Sequence, residues 1–170
     1  MKLKNIAPEE LITNPFADIG KRWMLITAAH GGRFNTMTAS WGSLGIIWGV
    51  PAATAVVRPT RHTFAFMEKA DSFTLSFFPE TCRAALNYCG THSGRDVDKC
   101  KETGLIPVWG GEDVWFDAAD MVLRCRKLYA QDMDPACFTD PSQDGKFYPN
   151  KDYHRMYIGE ITAAMQSIDA

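Results

Sequence analysis

No two cysteines of this chain stand in C-x-x-C spacing, and the five present are odd in number. That excludes a disulfide framework as the basis of the fold and points to free thiols in a reducing, cytoplasmic setting. Metal-ligand spacing is equally scarce: of Cys82, Cys89, His92 and Cys100, only Cys89-x-x-His92 has it. A structural zinc needs four converging ligands, so no metal is expected. Long Lys or Arg runs are missing too, and with a net charge of -2 and a pI near 6.1 neither nucleic acid nor an anionic membrane is expected as the main partner. No segment approaches the length of a membrane span, and the opening MKLKNIAPEELITNP has two lysines but no apolar core, so no export is expected. G-x-G-x-x-G and Walker loops, Ser-His-Asp logic and paired catalytic carboxylates are all absent. With no repeat, low-complexity stretch or linker, the 170 residues are expected to form one domain, 1–170, with a core of its own.

What is present is mostly strand. Pro8-Glu9-Glu10-Leu11 predicts a helical turn, and Trp23 to Ala29, turned by His30-Gly31-Gly32 into Phe34 to Ala39, predicts a hairpin. Gly42, Gly45, Gly49 and Pro51 predict a loop that leaves Trp41 and Trp48 beside irregular backbone. Ala52 to Val57 and Phe73 to Phe78 are expected strands, with a two-turn helix from Arg61 to Lys69 between them. A second helix runs to Tyr88 and is stopped by Gly90, and a third, Asp96 to Thr103, ends at Gly104. Ala119 to Asp132 and Met156 to Ile161 are the late strands, and the three prolines of Asp134 to Asn150 predict a long irregular excursion between them. Together these predict a β-rich fold, all-β with α additions.

Chemistry concentrates between Asn35 and Thr63. A strand changes there to the small, polar run Thr38, Ala39, Ser40, followed by Trp41, and small residues let a flat ligand approach the backbone. Farther on, Arg58-Pro59-Thr60-Arg61 stands at a helix start, where Thr60 can cap and two fixed positive charges join free N–H groups to make an anion site. The alternatives are a pair of solvated arginines and an ordinary core tryptophan.

Asn35-Thr36-Met37-Thr38-Ala39-Ser40-Trp41 and Arg58-Pro59-Thr60-Arg61-His62-Thr63 resemble hallmark strings of the flavin reductase-like proteins, flavoredoxin-like branch. Phe73 to Phe78, Gly90-Thr91-His92-Ser93-Gly94-Arg95-Asp96 with Lys99, and His154-Arg155 leading to Gly159-Glu160-Ile161 match in the same order. The resemblance implies an FMN-binding split β-barrel and a homodimer, which would cover Trp109, Trp115 and Phe138. FMN needs a phosphate site, an apolar slot for its ring and donors for the ring's polar edge. Arg58, Arg61 and Thr63 are the phosphate candidates, with Lys99 added from the same or the partner subunit. Met37, Thr38, Ala39, Ser40 and Trp41 are candidates for the slot, with Ser76, Phe77 and Phe78 as an opposite wall and Cys82 near the ring edge. Asn35 either bonds the flavin or satisfies nearby backbone. His154 is the candidate catalytic residue, placed to position nicotinamide or manage protons, or else a strand-start histidine bonded to backbone. The function implied is an oxidoreductase passing electrons from NAD(P)H to flavin; the alternative is a flavoredoxin-like electron carrier, or a flavin-binding module, served by another redox protein.

Overall fold

In the computed structural model, which describes residues 2–167, strand β2 (Met24–His30) is buried along nearly its whole length. Met24, Ile26 and Ala28 enter one apolar cluster and Leu25 enters another. A strand covered on both faces has no reason to alternate, which is why its sequence does not. Gly31 and Gly32, both at positive φ, turn it into β3 (Arg33–Ala39). The hairpin holds Ile26 opposite Met37.

β4 (Gly42–Ile47) and β5 (Val50–Val57) form a second hairpin through Trp48 and Gly49, both at positive φ. This corrects the expected loop. Glycine and proline are tolerated because β4 is an outermost strand and Pro51 lies beyond the stretch of β5 that pairs with β10 (Arg155–Ser167). With β6 (Ser72–Phe77) and β9 (Met121–Asp132), the antiparallel order is β3-β2-β6-β9-β10-β5-β4. β1 (Leu3–Ile6), which was not expected, pairs with the far half of β10, so Ala164 to Ser167 is strand as well. β2, β3, β5, β6, β9 and β10 all send side chains into one cluster, so the sheet is curled around it. Its outer strands β3 and β4 are joined by Ser40 and Trp41 alone, yet they do not pair with each other. The small, polar run therefore sits at the seam of the curled sheet.

Helices flank this seam. α1 (Pro15–Ala17) is a single turn, and α2 (His62–Lys69) sinks Met67 into the main cluster. α3 (Arg83–Thr91) buries Leu86 and Cys89 in the second cluster, and Gly90 lies inside it instead of stopping it. α4 (Lys99–Thr103) is capped by Asp98 and closed by Gly104 in the left-handed region. A small hairpin, β7 (Pro107–Gly110) and β8 (Asp113–Phe116), stands apart from the main sheet, and Phe116 of β8 enters the second cluster. The expected irregular excursion is partly helical. Asp134-Pro135 and Asp140-Pro141 each start a turn, the second opening α5 (Pro141–Phe147), with the aspartate as cap and proline fixing the first helical φ.

Candidate functional site

Two neighbouring cavities open at the seam. The first, about 230 Å³, is lined by Met37 to Trp41 from the end of β3, Val56 and Arg58 from the end of β5, Arg61, and His154 at the start of β10. The second, about 110 Å³, lies between the Thr60–Thr63 turn and the Thr91–Gly94 turn, with Asn35, Met37 and Lys99 on its walls. Met37 and Arg61 border both.

The smaller cavity is cationic. Arg61 donates to the Gly90 carbonyl at 2.8 Å, and no carboxylate pairs with it among the described residues. Lys99 is buried, donates at 2.7 Å to the carbonyls of Thr36 and Cys89, and likewise has no carboxylate; burial pulls its pKa down to about 8. Burial lowers the pKa of Arg61 as well. Two desolvated cations beside one small cavity, with carbonyl dipoles but no counter-charge, make a site for an anion. Thr63 is buried, and its hydroxyl accepts from Asn35 Nδ2 at 2.8 Å, which leaves its own proton to donate. No side chain caps α2, so Thr60 is not the cap, and the first N–H groups of the helix stand open at the cavity edge. Gly94 is required here: a Cβ would fall 1.9 Å from Asn35 Oδ1.

The larger cavity has an apolar rim and a rigid back. Trp41 packs at 5.1 Å between ring centroids on both Phe147 and His154. His154 is buried, and burial, with Arg58 adding to it, lowers its pKa to about 4, so it is neutral at ordinary pH. Its Nδ1 lies 2.8 Å from Tyr148 Oη, while Met133 Sδ is 3.3 Å from the same hydroxyl. An imidazole nitrogen is the stronger acceptor, so we assign the hydroxyl proton to Nδ1 and the ring proton to Nε2. His154 is then a neutral donor held by its back side.

The expected residues divide. Met37 to Trp41 and His154 meet in the larger cavity, and Asn35, Arg61, Thr63 and Lys99 meet in the smaller, Lys99 from the same chain as Arg61. Arg58 does not join them at the smaller cavity. It gives its donors to Asp152 Oδ1 at 2.6 Å and the Phe147 carbonyl at 2.7 Å, borders only the larger cavity, and covers the Tyr148 ring at 5.0 Å. Ser76, Phe77 and Phe78 form no opposite wall. All three are buried, Phe77 in the main cluster and Phe78 in the second, and none borders either cavity, because β6 is a central strand with neighbours on both sides. Cys82 packs on the second cluster and also borders neither. Val56, His62, Ser93 and Gly94 were not picked out as site residues, although the last three belong to the strings that carry the resemblance. A polar Ser-Gly between two helices was their available signal.

Of the aromatics expected to need covering, Trp109 is exposed. Trp115 is shielded by Arg124 and Phe138 by Tyr148.

A family model for the flavin reductase like domain matches residues 16–169. No curated protein matches the chain. Among solved structures, a flavoredoxin from Methanosarcina acetivorans is similar with a TM-score of 0.69 at 20% identity, over 86% of this chain and 69% of that one. An FMN-binding domain of a flavin reductases-like enzyme from Shewanella baltica reaches 0.71 at 17% identity, over 97% and 77%. An NADH:FAD oxidoreductase from Streptomyces globisporus reaches 0.65 at 15%, over 85% and 75%. These likenesses give the fold, a mostly β split barrel with helical additions. With the family model spanning nearly all of the chain, the protein belongs to the flavin reductase-like domain family.

Proposed function

We propose that the chain, as one domain, binds FMN across the two cavities and passes electrons from NAD(P)H to it. One observation carries this reading: Arg61 borders both cavities, so a ligand with an anion at one end and a flat ring at the other fits the pair as a single site. The donor set suits a phosphate monoester, with Arg61, Lys99, the Thr63 hydroxyl and the open end of α2 converging on it. The chain's small residues at Thr38 to Ser40 let backbone reach a ring edge, and Trp41 with Phe147 closes one rim against water. Bound FMN would supply the hydride acceptor. His154 positions the donor, presenting a neutral Nε2–H that does not titrate near neutrality.

We assign the partner role to a second copy of the chain. β4 is an outermost strand on which Ile46 is 68% exposed, and Trp48 in the turn after it is 63% exposed, together an apolar edge suited to an isologous contact. The same edge suits a protein electron donor, which keeps the flavoredoxin-like carrier as the second reading. No helix among the described residues is long and apolar enough to cross a membrane, and the five cysteines are free, in keeping with a cytoplasmic protein.

The test is anaerobic mixing of FMN-loaded protein with NADH or NADPH. Rapid bleaching supports the oxidoreductase, and bleaching only by a reduced protein supports the carrier. His154→Ala should slow bleaching about a hundredfold at unchanged FMN occupancy, since misplacing a donor by roughly an angstrom costs about that much. In the unaltered protein the rate should be flat from about pH 6 to 8, because His154 with a pKa of about 4 stays neutral throughout. A rate that tracks a pKa near 6.5 ends the neutral-donor assignment.

A further inference from the structure

Behind His154 a chain of contacts leads out of the seam. Tyr148 is 3% exposed, and its hydroxyl has one proton and two acceptors within reach, His154 Nδ1 at 2.8 Å and Met133 Sδ at 3.3 Å. Met133 is fixed beside both, because its own N–H donates to the His154 carbonyl at 2.9 Å. Burial raises the pKa of Tyr148, so the hydroxyl keeps its proton, and burial lowers that of His154 to about 4, so the ring carries a single proton. A thioether is a weak acceptor and an imidazole nitrogen a strong one, which directs the Tyr148 proton to Nδ1 and leaves the ring proton on Nε2. The tautomer of His154 therefore depends on the sulfur being a poor acceptor.

That sulfur belongs to a less protected residue than the two it touches. Met133 is half-buried, and it lines a separate cavity of about 230 Å³ together with Met156, Phe138 and Cys137. None of the residues around this cavity borders the two at the seam.

We propose that Met133 is a redox sensor for the His154 site: oxidation of its thioether to the sulfoxide draws the Tyr148 proton away from His154 and reverses the tautomer of the ring. The oxidant is hydrogen peroxide. It gives one oxygen atom to the sulfur and leaves as water, so the thioether loses two electrons and the peroxide gains them. The new oxygen is a far better acceptor than the thioether, and the flexible methionine chain, with a cavity beside it, can bring that oxygen to the hydroxyl. Once the Tyr148 proton points at the sulfoxide, a lone pair of its oxygen faces Nδ1, and the neutral ring is best served by a proton there. Nε2 then changes from donor to acceptor with no change in charge. The inference rests on the reading that His154 positions a hydride donor at bound flavin, and it adds regulation to that site. Reduced flavin that meets dioxygen is reoxidised and releases hydrogen peroxide, so wasted turnover silences the site that causes it.

Two measurements on the full chain test the switch, and the first needs no flavin. Ring-nitrogen NMR shifts of His154 should show Nε2 protonated before treatment with hydrogen peroxide and Nδ1 protonated after it, with mass spectrometry placing the added oxygen on Met133. Methionine sulfoxide reductases should reverse both changes. In Met133→Leu the tautomer should not respond to peroxide, and in Met156→Leu it should respond as in the unaltered protein. A ring that stays protonated on Nε2 when Met133 carries the oxygen overturns the inference, and so does a Met133 that takes up none. The second measurement uses FMN-loaded protein, in which bleaching by NADH or NADPH should slow about tenfold after peroxide at unchanged FMN occupancy, the effect of one lost hydrogen bond. A rate indifferent to oxidation of Met133 overturns the inference. Cys137, exposed at the same cavity, is the rival target. Dithiothreitol restores a sulfenic cysteine and leaves a sulfoxide in place, so a rate recovered by dithiothreitol alone also overturns it. Untreated protein that is not bleached at all removes the hydride reading, and the tautomer measurement then decides the switch by itself.

Discussion

Arg58 and Arg61 leave the same turn three residues apart, and their surroundings are opposite. Arg58 has a carboxylate, a carbonyl and an aromatic ring to itself, all from the segment 147–152. Arg61 has a single carbonyl, burial that lowers its pKa, and Lys99 as a like-charged neighbour. The first is an internally satisfied clasp. The second is a charge arrangement that is favourable only with an anion present, because desolvated cations without a counter-charge oppose one another and the interior. Electrostatic satisfaction therefore distinguishes two arginines that residue type does not.

The contrast is sharpest in Arg61→Ala. Losing about two charge-assisted hydrogen bonds, at roughly 1.5–3 kcal/mol each, should weaken FMN by about a hundredfold or more. Riboflavin, which lacks the phosphate, should bind as before. Titration of both ligands by fluorescence quenching checks this, and equal losses would show that Arg61 holds no phosphate.

Lys99 gives a smaller effect with a defined pH window. Its pKa of about 8 in the free protein lies below the ordinary 10.5 because burial disfavours the charge. A phosphate beside it favours the charged form and raises the pKa, so binding takes up a proton above about pH 8. FMN affinity should then be level below that pH and fall by up to about tenfold per unit above it, with riboflavin unaffected. An FMN affinity level to pH 9.5 would mean that the ammonium does not face the phosphate.

How much of this was legible depends on range. Strand β2 and the helix after Arg61 follow from local apolar content and helix signals, and the hairpin at Gly31-Gly32 from turn chemistry. The β4 strand did not, because its glycines and Pro51 argue for a loop unless one knows that the strand lies at an edge and that Pro51 falls outside the β10 ladder. Ser76 to Phe78 look like a possible wall in the sequence, and only the central position of β6 puts them in the core. The surroundings of Arg58 were hidden from the sequence for the same reason. Its partner Asp152 stands 94 residues away, and no spacing rule links the two. The Met37 to Trp41 run was legible as a place for close approach, but its position at the sheet seam needed the strand order.

The smallest expected effect belongs to Arg58→Ala, and it tests the other half of the comparison. Arg58 joins the end of β5 to the segment carrying Phe147, Tyr148 and Asp152 through hydrogen bonds of 2.6 and 2.7 Å. Those residues back the larger cavity, since Tyr148 holds His154 and Phe147 packs on Trp41. Removing the guanidinium leaves the Phe147 carbonyl and the Asp152 carboxylate without that donor, so the segment should loosen locally while the sheet stays intact. Amide exchange should quicken in residues 141–153 and stay unchanged in β2 and β6. FMN affinity should change less than about threefold, because the proposed phosphate ligands, Arg61 and Lys99, border the other cavity. Bleaching by NAD(P)H should slow more than binding weakens, since a looser Tyr148 no longer fixes the His154 ring. A loss of FMN as large as that in Arg61→Ala, with exchange unchanged, would make Arg58 a phosphate ligand after all and erase the distinction between the two arginines.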